Sequence, residues 1–142
     1  MKAADPTHEI IKGYFDLIKT GITYGGNTIY VGTKIPKNSA NYVYIYLESL
    51  ENKSTADSVV YFATVTMQIV SMQDADEGND TVVNSILEQL LTKLGDPALI
   101  VMTHFKCLTA IYGDMETLNE MDESKYIITK KLRMTSFVEQ LN

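Results

Sequence analysis

Between Ser71 and Asp80 the sequence reads SMQDADEGND, and four acids, Asp74, Asp76, Glu77 and Asp80, lie close enough along it to hold a cation or share a proton. A calcium loop of the EF-hand type needs oxygen ligands at alternate positions, glycine at the sixth and a bidentate glutamate at the twelfth. Counted from Asp74, glycine falls at the fifth position, Asn79 at the sixth and Ser85 at the twelfth. The pattern fails where the chemistry is most demanding, so no metal is assigned. The same residues suit a second role. Asn79 or Asp80 can cap a following helix, and the preceding negative charge complements the positive end of its dipole.

Nucleophilic catalysis needs Ser, Cys or Thr beside a positioned base. The histidines are His8 and His104, and the one cysteine is Cys107. His104 precedes Cys107 by three positions, which on a strand face opposite sides, so the spacing argues against a dyad. Cys107 reads instead as a small core residue. Alone, it excludes an internal disulfide and a multi-cysteine zinc site. Phosphate-binding loops, G-x-S-x-G and H-E-x-x-H are missing from the sequence, and TYGGN reads as a Gly-Gly turn. The reading assigns no catalytic residue, no metal ligand and no cofactor, and expects no enzyme.

Positioning such residues is the work of one domain, residues 1–142, since the length suits a single core. No apolar run approaches the roughly 20 residues that span a bilayer, and the N-terminal MKAADPTHEIIKGYF lacks the apolar core of a signal peptide, so a soluble, non-exported product is expected. A net charge of −6 disfavours binding to phosphate backbones.

The segment ADPTHEIIKGYFDLIKTG predicts a helix capped by Asp5, with Pro6 at its first position, Ile11, Phe15 and Ile18 on one face, Ile10, Tyr14 and Leu17 widening that stripe, and Gly21 at its end. A Gly-rich stretch with a short strand near Ile29–Val31 follows. NYVYIYLESL alternates, with Val43, Ile45 and Leu47 opposite Tyr42, Tyr44 and Tyr46. DSVVYFATVTMQIVSM predicts a longer strand, joined to it as an antiparallel hairpin by ENKSTAD. The clearest helix is DTVVNSILEQLLTKL, whose wide apolar stripe must lie on a sheet. Two further strands, THFKCLTAIYGDM and KYIITKKLRMTSFVEQ, flank an acidic connection, GDMETLNEMDES. This order predicts an α+β two-layer sandwich: a mostly antiparallel sheet of four to five strands with two helices on one face. The open face and hairpin edges, including Tyr44, Tyr46, Lys131 and Arg133, are the candidate interface, and the acidic segments 74–80 and 114–123 are either solubilising or face a basic partner.

Length and order of parts resemble the tail-completion or tail-terminator proteins of long-tailed bacteriophages, relatives of the minor tail protein that caps the lambda tail tube. The resemblance runs from the helix IIKGYFDLIK and the loop leading to NTIYVGTKIP through NYVYIYLES, VYFATVTMQIVSM and GNDTVVNSILEQLLTKL to YIITKKLRMTSFVEQ. The stretch PKNSANY departs from it by placing five residues between Pro36 and Tyr42. The resemblance implies a virion protein made in the bacterial host cytoplasm, located in the tail or neck and without a membrane. It forms a homo-oligomeric, hexameric ring at the head-proximal end of the tail tube. Its partners are the tube protein and the neck or head-completion proteins, and DNA passes through without specific binding. Asp74, Asp76, Glu77 and Asp80 are then candidates to face that channel. A head-closure or connector ring of the neck, and a small non-catalytic α+β ligand-binding module, are the alternatives.

Overall fold

The structure is a computed structural model that describes residues 2–76, 78–95, 100–122 and 124–141. Two helices, α1 (Thr7–Ile18) and α2 (Thr81–Lys93), accompany seven strands: β1 (Thr23–Tyr24), β2 (Asn27–Thr28), β3 (Tyr30–Gly32), β4 (Asn41–Asn52), β5 (Val60–Asp74), β6 (Phe105–Asp122) and β7 (Lys125–Gln140). β1 and β2 form a small hairpin whose turn, Gly25-Gly26, has φ of 59° and 83°, the left-handed geometry that two-residue hairpins require. The main sheet has the order β3-β4-β5-β7-β6. All its pairings are antiparallel except β3 with β4, which is parallel. The fold is α+β.

Both helices lie on one face, α1 over β3 and β4, α2 over β5 and β7. A helix about 10 Å wide covers roughly two strands spaced about 4.8 Å apart, so two helices cover four strands and the fifth is left over. That strand is β6. Beneath the helices Val43, Ile45, Val65, Met67, Ile69, Ile128 and Leu132 form the sheet side of the core, closed by Val83, Ile86 and Leu90 of α2. On α1 the buried residues are Ile10, Tyr14 and Ile18, whereas Ile11 and Phe15 are only partly covered. The centre of the expected stripe is therefore shifted by about one residue, onto Ile10 and Tyr14 from its margin. Tyr14 sets the rotation, because its hydroxyl reaches the buried Ser136 hydroxyl on β7. Burial pushes this phenol up to about 12, although the Ser136 bond works the other way.

Both helix starts are held by the residue two positions before the helix. The Asp5 carboxylate accepts from the Thr7 amide at 2.9 Å, and Asn79 Oδ1 accepts from the Thr81 amide at 3.0 Å. Gln73, near the end of β5, brackets Asn79 by donating to its carbonyl and accepting from its amide, at 2.7 and 3.1 Å. This accounts for SMQDADEGND: among the described residues, the segment turns β5 into α2.

The acidic stretch GDMETLNEMDES is largely not a connection. β6 runs through it to Asp122 and pairs as far as Asp122↔Lys125. Two irregularities, between Cys107 and Thr109 and between Tyr112 and Met115, break the alternation that would have marked the strand. Gly113 sits at the second, where a Cβ would stand 3.0 Å from the Arg133 carbonyl.

Candidate functional site

The first sequence-derived candidate is the open face. Tyr44 and Tyr46 project there from β4 and stack, with ring centroids 5.0 Å apart and planes at 29°. Phe62 and Phe137 meet edge to face at 4.6 Å on the neighbouring strands. Lys131 stands on β7 between Gln68 and Glu116 in register. Arg133 lies in the row Tyr46–Thr66–Arg133, and the Thr66 side chain below is fully buried, its hydroxyl without a hydrogen-bond partner among the described residues.

Arg133 is not the free surface cation expected of an interface contact. Its Nε donates to both Glu48 carboxylate oxygens at 3.0 and 3.1 Å, Nη2 to Glu116 at 3.0 Å and Nη1 to Asp114 at 3.5 Å. The side chain is 18% exposed. Glu116 and Glu48 hold the guanidinium above its usual pKa, and Asp114 adds to the effect. The charge ties β4, β7 and β6 together across the sheet, a role that spacing could not show because Glu48 and Asp114 are distant in sequence.

The second candidate, the acidic segment, is spread rather than gathered. Asp74 pairs with Lys125 at 3.0 Å, Asp76 and Asp80 are exposed, and Glu77 lies outside the described residues. Among the described residues no three His, Cys, Asp or Glu side chains form a metal-ligand group. The Ala75 amide donates to the Ser124 carbonyl at 3.0 Å, so this loop and the tip of the β6–β7 hairpin share one end of the sheet. Glu120, exposed near that tip, joins Asp74, Asp76 and Asp80 in making the end acidic.

His104 and Cys107 are occupied separately. Glu9 of α1 accepts from the Thr103 and His104 amides at 2.5 and 2.8 Å, and its other oxygen lies 3.1 Å from His104 Nδ1. Cys107 is half-buried against the core, donates to the Thr109 carbonyl at 3.5 Å, and has its thiol pushed up by burial. Burial pushes the Glu9 carboxyl up too, but the His104 amide and ring and the Thr103 amide outweigh it and hold Glu9 below the ordinary 4.5. A lowered carboxylate contributes stability above its unfolded pKa and loses it as pH falls through the folded one. Glu9→Gln is therefore expected to cost about 1 kcal/mol at neutral pH, with the difference from wild type closing as pH falls below 4.5. Urea unfolding at a series of pH values checks this, and a pH-independent difference would contradict it.

A third feature was missed in the sequence. Every side chain of β6 from Ile111 to Met121 is exposed, including Ile111 (56%), Tyr112, Met115, Leu118 and Met121 (67%). The outer backbone edge of this 18-residue strand has no partner among the described residues. Large apolar residues recurring within the acidic stretch were the available signal. At the opposite edge of the sheet β3 pairs with Tyr42–Tyr44, so from Ile45 onward β4 has no strand partner on that side among the described residues. A groove of about 500 Å³ opens there, between Ile11 and Phe15 of α1 and Thr33, Ile45 and Tyr46. Of the predicted interface residues, Tyr46 reaches it.

Compared with protein-family models and with curated proteins, the chain matches none of them. The class the geometry defines is an α+β two-layer sandwich with one strand beyond its helix cover. No helix among the described residues is long and apolar enough to cross a membrane.

Proposed function

We propose that this chain is a non-catalytic ring subunit of the virion. It acts as a tail terminator at the head-proximal end of a phage tail tube, ending tube polymerisation and joining the tail to the neck. The observation that carries the reading is β6, a long edge strand with five large apolar side chains exposed between Ile111 and Met121. Proteins that act as monomers blunt such edges with short strands, bulges, prolines or lysines. β6 is long and, from Cys107 to Asp122, has no proline or lysine; its two irregularities both lie before Met115, so the paired stretch from Met115 onward is not blunted by a bulge, and exposed apolar area of this kind marks protein contact.

Electrostatics support the same reading. The acidic end of the sheet, with Asp74, Asp76, Asp80 and Glu120, suits the wall of a channel through which DNA slides, because negative charge repels phosphate and does not retain it. A head-closure ring of the neck would draw on the same features. Particles made without this product separate the two: overlong tails are expected for a terminator, and normal tails on leaking heads would point to head closure. Normal particles in full yield would overturn both.

A further inference from the structure

We propose that copies of this chain join head to tail, the outer flank of β6 on one copy docking along the unpaired part of β4 and the α1 groove of the next. The inference deepens the ring reading and rests on it. The two surfaces are opposite edges of one sheet. β6 runs antiparallel to β7 and β4 runs parallel to β7, since β5 is antiparallel to both, so β6 of one copy meets β4 of the next in antiparallel sense. Both edges carry free backbone donors and acceptors, the requirement for extending a sheet.

Side chains match as well as backbone. On the helix-bearing face the β6 flank offers Tyr112, Met115 and Met121, in register with Met134, Leu132 and Tyr126, and the groove offers Ile11 and Phe15, which α1 leaves half-covered. Charge is complementary. Residues 114–123 contain five acids and no Lys or Arg, of which Asp114 and Glu116 bind Arg133 within the chain, whereas Lys34 and Lys37, exposed on the loop after β3, have no ion-pair partner among the described residues. Lys12 lines the groove too, where it pairs with Asp16 at 2.6 Å. A contact between two different surfaces propagates, and makes a ring where its rotation closes, whereas β6 meeting β6 across a two-fold would stop at a dimer.

Two variants in exposed or half-exposed positions test this by sedimentation velocity over a concentration series. Met115→Asn with Met121→Asn spoils the helix-side flank of β6, and Ile11→Asp spoils the groove. Each alone is expected to be a monomer where wild type assembles. Mixed in equal amounts they are expected to give a dimer and nothing larger, since one intact flank meets one intact groove. Assembly by Ile11→Asp alone would overturn the inference. Circular dichroism verifies folding, and oxidative crosslinking in a Cys107→Ser background gives a second reading that leaves the apolar contacts largely in place. Met115→Cys, on the helix-bearing face of β6, is expected to join Ile11→Cys; joining to itself would show a two-fold contact instead and overturn the proposal. Wild-type protein that neither oligomerises nor crosslinks at any concentration would also overturn it. The ring reading would then still be judged separately, by tail length in particles lacking the product.

Discussion

Leu90→Asp is expected to abolish cooperative unfolding and leave a chain without the fold. Leu90 is fully buried on α2, in the cluster that α2 forms with β5 and β7. Removing a buried leucine forfeits about 1.5–3 kcal/mol of burial. Placing an ionised carboxylate there adds several more, or forces it to take up a proton. Together these approach the roughly 5–15 kcal/mol by which a domain is stable. Leu90→Met preserves volume and should cost less than about 1.5 kcal/mol. Thermal scans by circular dichroism distinguish the outcomes. A Leu90→Asp variant melting within a few degrees of wild type would mean that α2 does not close the core.

Arg133→Glu is expected to destabilise the monomer by about 2 kcal/mol and to loosen the β6 hairpin. The substitution removes the donors that hold Glu48, Asp114 and Glu116 and places a fourth carboxylate among them. A single exposed ion pair would be worth little, but here one planar guanidinium serves three carboxylates on two other strands. Arg133→Lys keeps the charge and loses the fork, so it should recover only part of the stability. Urea midpoints measure both, and faster hydrogen exchange at Asp114 and Glu116 reports the hairpin. An unchanged midpoint with altered assembly would return Arg133 to the interface role first expected of it.

What the sequence made legible follows its periodicity. α2 was plain because Val83, Ile86, Leu87 and Leu90 repeat at helical spacing over a full 13 residues, with Asn79 two positions before the start. β4 and β5 were plain because alternation survives wherever pairing is regular. β6 was cut short because irregularities at Leu108 and at Gly113–Asp114 each shift which face the next residue occupies, so strict alternation ends although the strand does not. α1 was placed correctly and rotated wrongly, because Ile10, Ile11, Tyr14 and Phe15 make too wide a stripe for spacing to choose its centre. The tie from Tyr14 to Ser136, 122 positions away, makes that choice. The parallel pairing of β3 was hidden for a similar reason: three residues hold no directional pattern.

The candidate site was less legible than the fold. Tyr44 and Tyr46 were visible as an alternating aromatic row, but only the early end of β3 shows that Tyr46 borders a groove. The charges at Lys131 and Arg133 were visible too, but the partners of Arg133 come from other strands, and partners decide whether a charge is available. The acidic loop and the hairpin tip are 40 or more positions apart and become one surface only through the β5–β7 register.

Tail-tube growth tests the central claim most directly. Purified chain added to polymerising tube subunits, with tube lengths measured by negative-stain microscopy, is expected to shorten tubes in proportion to its concentration and to leave a ring of this chain at one end. Tube lengths indifferent to the chain, with no density at either end, would contradict a role in terminating the tail.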